Sequence, residues 1–88
     1  MASVSDEKLI EIVAETARRI FNQPSLVYSP GLSFRDILGF DSVLAVQYIL
    51  AIEAALNVTL IDEEVDRMHT MGTLVEILRT KNPSLAAS

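Results

Sequence analysis

Along this 88-residue chain the apolar positions fall into two long helical patterns that differ in kind. From Ser5 to Phe21, Leu9, Ile12, Val13, Ala17 and Ile20 recur at three- and four-residue spacing. One apolar stripe of that period predicts an amphipathic helix. Ser5 is placed to cap it, Asp6 and Glu7 suit the positive end of its dipole, and Arg18 and Arg19 suit the negative end. Asn22, Gln23 and Pro24 stop it. From Asp41-Ser42 to Leu56 the second pattern is apolar nearly all round. Asp41 is its cap. The inward face is assigned to Ala45, Ile49, Ile52 and Leu56, with Tyr48 at its border. Gln47 and Glu53 mark the other side, which also carries Val43, Val46, Leu50 and Ala54. A helix with so little contrast is either buried or shows an apolar face to a partner.

Residues 22–41 join the two helices through a long connection punctuated by Pro24, Pro30, Gly31 and Gly39. Connections of this length are often functional. Leu26, Val27, Leu32, Phe34, Ile37, Leu38 and Phe40 would pin it to a core, and Ser33 to Leu38 predicts a short helical turn. After the link Asn57-Val58-Thr59-Leu60-Ile61, Asp62-Glu63-Glu64 opens a short helix carrying Val65 and Met68. Thr70 or Thr73 caps a last helix with Met71, Leu74, Val75, Ile77 and Leu78, which Pro83 ends. Residues 82–88 are expected to form a flexible tail. The elements add up to an all-α fold, a small four-helix bundle of three longer helices and one short one, with the long loop between the first and second. The length suits a single domain over residues 1–88 with its core in 5–81.

Composition narrows the function. A net charge of −5 and a pI near 4.6 argue against a nucleic-acid partner and favour partners with basic surfaces. There is no cysteine, hence no disulfide and no thiolate metal site. A chain of this composition that handled thioesters would take its sulfur from a cofactor. The most apolar stretch, Val43 to Leu56, is interrupted by Gln47 and Glu53 and falls short of the ~20 residues of a membrane span. The start, Met1 to Asp6, has no basic region before an apolar run, so no signal peptide is expected and the cytoplasm is the expected location.

Enzyme chemistry finds little support. His69 is the one histidine, and it reads as a boundary residue before the last helix rather than a ligand or base. The acidic group Asp62, Glu63, Glu64 and Asp66 lacks the glycine and ligand spacing of a calcium loop and reads as a solvated helix start. No glycine-rich phosphate loop is present, and no serine-hydrolase base or oxyanion donor stands out. The informative segment is Leu38-Gly39-Phe40-Asp41-Ser42-Val43. On spacing alone Asp-Ser at a helix start means capping. Its setting adds to that: the serine follows a long, partly apolar loop and opens an unusually apolar helix.

With that segment the chain resembles the acyl carrier protein family, whose four-helix bundle carries a Gly-x-Asp-Ser-Leu motif at the start of its second helix. The motif stands here as Gly39-Phe40-Asp41-Ser42-Val43, preceded by Leu38. Glu53, the stretch Leu60-Ile61-Asp62-Glu63-Glu64 and Met68 fall into register as well, and the likeness runs from Ser5 to Lys81. The resemblance implies that a phosphopantetheinyl transferase moves 4′-phosphopantetheine from coenzyme A onto the Ser42 hydroxyl. The arm's thiol then holds an acyl group as a thioester for acyl-loading, condensing or acyltransferase enzymes. The carrier itself supplies no catalytic residue, and the family suggests a monomer. Phe34, Leu38, Tyr48, Ile49, Ile52, Leu56, Leu60 and Met68 are candidates to line a space for a folded-back acyl chain, against the simpler role of core packing.

The departures from the family lie on the second helix. Val43 replaces the commoner leucine and keeps an apolar contact beside the arm. Fatty-acid carriers usually show several acidic residues on that helix. Here the corresponding side shows Val43, Leu44, Val46, Gln47, Leu50 and Ala54, with Glu53 its only charge and Asp41 beside the arm. Partners are therefore expected to dock on a mainly apolar patch of the second helix, helped by charge on the short acidic helix at Asp62, Glu63, Glu64 and Asp66, which favours polyketide or other specialised acyl transfer over general fatty acid synthesis. The rivals are a peptidyl or aryl carrier of nonribosomal peptide assembly, where glycine or histidine more often precedes the serine, and a carrier-like interaction domain that is never modified.

Overall fold

The computed structural model describes residues 4–38 and 41–85; Gly39 and Phe40 of the motif, the side chain of Leu38 and residues 86–88 of the expected tail lie outside the described residues. Five helices follow one another there: α1 (Asp6–Ile20), α2 (Phe34–Leu38), α3 (Ser42–Leu56), α4 (Asp62–Arg67) and α5 (Met71–Thr80). The first, third and fifth are the longer helices of the expected all-α bundle, α4 is its short helix, and α2 is the turn predicted inside the connection. Among the described residues the only extended pairing is an isolated antiparallel bridge between Ser33 and Thr70. No described helix is long and apolar enough to cross a membrane.

α1 forms as its pattern dictates. The Ser5 hydroxyl accepts from the Lys8 N–H at 3.2 Å, capping the first turn. Leu9, Val13 and Ala17 are fully buried on the face that packs against α3 and α5. α5 is capped by Thr70, whose hydroxyl accepts from Thr73 N–H at 3.2 Å while the Thr73 hydroxyl accepts from Thr70 N–H at 2.9 Å. α4 starts at Asp62, within the expected acidic run. Its cap position is Ile61, and the Ile61 N–H donates to the Glu64 carboxylate at 3.0 Å, so the last residue of that acidic run satisfies the helix start.

α3 turns a different face inward than its spacing suggested. Tyr48, Ile52 and Leu56 are its buried residues, and Ala45 and Ile49 are only half-buried. Tyr48 therefore stands at the centre of the inward face, not at its border. The reason is chemical as well as steric. The Tyr48 hydroxyl donates to the Val13 carbonyl at 2.9 Å, so its one polar group is satisfied inside the core and the ring can be buried whole.

The long connection is held at several points. The Arg18 guanidinium donates to the Leu26 carbonyl at 2.8 Å, and Leu26 and Phe34 are buried. Met71 N–H donates to the Leu32 carbonyl at 3.0 Å and Gly72 N–H to the Pro30 carbonyl at 3.1 Å. That approach requires a glycine: a Cβ on Gly72 would lie 2.8 Å from the Pro30 oxygen. The other end of the chain is tied down too. Pro83 is fully buried, Ser84 N–H donates to the Leu56 carbonyl at 3.0 Å, and the Asn57 amide donates to the Leu85 carbonyl at 3.1 Å. Residues 83–85, assigned above to the tail, are thus bonded to the end of α3.

Candidate functional site

The site is built at the start of α3. Asp41 precedes it in an extended conformation, and its carboxylate accepts from the N–H groups of Val43 at 3.0 Å and Leu44 at 3.1 Å. Two backbone donors with no partner in the helix are satisfied, and a negative charge sits at the positive end of the dipole. Such a cap contributes about 1 kcal/mol. It also frees the next side chain from that task. Ser42, the first helical residue, is exposed, and its hydroxyl makes no hydrogen bond with another described residue. A primary alcohol so placed, on a capped helix end and open to solvent, is available for covalent attachment. A phosphate on it would not compete for the Val43 and Leu44 N–H groups, because Asp41 already holds them.

The residues expected to meet partners divide. Val43, Val46 and Leu50 are 64%, 55% and 58% exposed, and Gln47 and Ala54 are exposed beside them. Two others face the fold. Leu44 is half-buried against the core, and Glu53 is half-buried with its carboxylate accepting from the Leu60 N–H at 2.7 Å. Glu53 thereby fixes the link between α3 and α4.

The residues expected to line an acyl space also divide. Phe34, Tyr48, Ile52 and Leu56 are buried in the core, whereas Ile49, Leu60 and Met68 are half-buried. Phe34 and Tyr48 meet with ring centroids 5.4 Å apart, and Phe21 joins them from the end of α1, 4.9 Å from Tyr48. Burial pushes the Tyr48 hydroxyl far above the usual phenol range, so it stays a neutral donor. Sequence patterning missed Phe21 as a member of this group, although it ends the α1 stripe. A surface groove of about 310 Å³ lies elsewhere, lined by Arg67, Thr73, Glu76, Ile77 and Thr80, and shares no residue with the α3 start.

No curated protein and no solved structure matches the chain. One family model does: the model described as "phosphopantetheine attachment site" matches residues 7–78, from the first turn of α1 to near the end of α5. The match spans most of the chain and takes in the whole of α3. The chain belongs to the phosphopantetheine-attachment family and is a carrier domain of the kind that bears 4′-phosphopantetheine.

Proposed function

We propose that Ser42 bears the 4′-phosphopantetheine arm and that the chain is an acyl carrier protein serving polyketide or another specialised acyl biosynthesis. The observation that carries this is the exposed Ser42 hydroxyl, without a hydrogen bond among the described residues, at the first position of α3, inside the Gly39–Val43 motif and inside the family match. When attached, the arm supplies the terminal thiol that a chain without cysteine lacks. The residues here fit it. Asp41 keeps the helix end capped, and Ser42 offers the oxygen. An arm not gripped by the helix N-terminus is free to carry its cargo between active sites at high local concentration. Asp41 before the serine favours the acyl carriers over the peptidyl carriers, and the chain contributes no catalytic residue.

Partner enzymes, the phosphopantetheinyl transferase among them, dock on the outer face of α3. Val43, Val46 and Leu50 supply its apolar centre, with Gln47 and Ala54 beside them. Leu44 and Glu53 support that face from within the fold. Apolar docking predicts an affinity that falls only shallowly with added salt; a steep fall would point to charge pairing instead.

The direct test is intact mass after incubation with coenzyme A, magnesium and a broad-specificity phosphopantetheinyl transferase. The parent chain gains one arm and Ser42→Ala gains none. Loss of the gain in both, with an active control carrier, would oppose modification. A gain in both would assign the arm to another residue.

A further inference from the structure

The link between α3 and α4 breaks a local rule at Ile61. This residue holds the cap position of α4 with φ −88° and ψ 164°, an extended conformation in which a serine or threonine would offer its hydroxyl to the free N–H groups of the first turn. Isoleucine is among the poorest residues for that position, and its side chain makes no cap bond. Packing does not explain it either. Leu60, just before it, is half-buried against the core, whereas Ile61 is 53% exposed. An exposed apolar side chain where a small polar one would serve the helix better gains the fold little, and local conflicts of this kind are expected at functional sites.

Glu53 decides where that side chain sits. Its half-buried carboxylate accepts from the Leu60 N–H at 2.7 Å and so ties the link to α3. Helix geometry puts Glu53 about 17 Å along α3 from Ser42, turned only about 20° from it, about 20° from Val46 and about 60° from Leu50. The backbone leading into Ile61 is thereby held beside the turn at which the exposed strip of Val43, Val46 and Leu50 ends. Charge does not compete with apolar contact along this stretch, since the carboxylates of Asp41 and Glu53 are both bonded to backbone N–H groups. A partner patch of ordinary size, about 800 Å² a side and so roughly 30 Å across, covers Ser42 and Ile61 together.

We propose that Ile61 is the far anchor of the surface on which the phosphopantetheinyl transferase docks, and that Glu53 is the positioning residue that holds it beside Val46 and Leu50. The partner this surface fits is an enzyme whose active site opens at one end of an apolar groove, with Ser42 at that end and Ile61 at the other. The proposal rests on Ser42 as the attachment point and on docking at the outer face of α3, and adds two residues to that face. Ile61 makes contact; Glu53 acts through the backbone of Leu60.

Two readouts test it: the kinetics of arm transfer by the broad-specificity transferase, and the melting temperature of each unmodified variant. Ile61→Thr keeps the branched shape and brings a capping hydroxyl. Its melting temperature is expected to match or exceed the parent's, while KM for the carrier rises several-fold and kcat holds. An unchanged KM would overturn the proposal. So would a melting temperature lowered by several degrees, since Ile61 would then serve the fold. Glu53→Ala frees the link and is expected to raise KM as Ile61→Thr does, with little added when the two are combined. Glu53→Gln keeps an oxygen for the Leu60 N–H and is expected to stay near the parent's KM. A Glu53→Gln variant as poor as Glu53→Ala would make the carboxylate a charge read by the partner and overturn the positioning role. Leu50→Ala, run alongside, keeps the reading of α3 separate: a raised KM there, with Ile61→Thr unchanged, would confine the surface to α3. Failure of the parent chain to gain an arm would instead count against Ser42 as the attachment site.

Discussion

α1 and α3 are equal in length and both pack in the same core, yet they use their apolar residues differently. In α1 the apolar stripe and the buried face coincide: Leu9, Val13 and Ala17 go inside and the charges Glu7, Glu11 and Glu15 stay out. Folding alone accounts for that pattern. In α3 the core takes Tyr48, Ile52 and Leu56, and Val43, Val46 and Leu50 remain in water. Nothing in the packing of the domain requires those three to be apolar. An isolated exposed valine or leucine is ordinary; three on one helix face that begins beside Ser42 form the surface proposed above for partner docking.

The sharpest way to test this contrast is to truncate the two sides of α3. Ile52→Ala removes a fully buried side chain and is expected to cost about 2–5 kcal/mol, read from the urea midpoint. Gly72→Ala comes next. The added Cβ meets Pro30 backbone that is itself bonded to Gly72, and the expected loss is about 1–3 kcal/mol in the same assay. Tyr48→Phe keeps the ring and deletes the bond to Val13, with an expected loss of about 1 kcal/mol.

A smaller effect is expected in acid. The Ile61 N–H first, and then the Lys81 ammonium at 2.6 Å, hold the Glu64 carboxyl below the usual glutamate range. A group lowered in the folded state adds stability above its unfolded pKa and loses it as pH falls through the folded value. The parent should therefore lose stability faster than Glu64→Gln below about pH 4, in melts taken across that range. The smallest change is expected for Leu50→Ala, within about 0.5 kcal/mol in stability. The same variant should bind a partner enzyme several-fold more weakly in a titration. Equal losses of stability for Leu50→Ala and Ile52→Ala would dissolve the distinction between the two faces.

The difference between the helices also explains what the sequence made legible. α1, its Ser5 cap and the short turn up to Leu38 could be read from local polar and apolar pattern, whereas the cap of α5 stayed open between Thr70 and Thr73 until the structure placed it at Thr70. α3 offered no such contrast. Its inward face at Tyr48, Ile52 and Leu56 and the alternative through Ile49 both satisfy three- and four-residue spacing. Glu53, taken as a marker of the outer side, is half-buried because its carboxylate accepts the Leu60 N–H. That bond spans seven residues and has no signature in periodicity. The anchoring of residues 83–85 is similarly invisible, since it runs through backbone groups of Leu56, Ser84 and Leu85. The candidate site was legible for a different reason. Asp41 and Ser42 form a local cap whose geometry depends on neighbours in sequence, and the motif together with the helix order and the acidity pointed to Ser42 as the candidate.

The measurement that tests the central claim most directly is tandem mass spectrometry of a tryptic digest of the chain after arm transfer. Cleavage after Arg35 and Arg67 releases residues 36–67, a peptide in which Ser42 is the single serine. The account predicts that the added mass, and the fragment ion of the arm, appear on this peptide alone. An arm found on residues 20–35, which contain Ser25, Ser29 and Ser33, would contradict it.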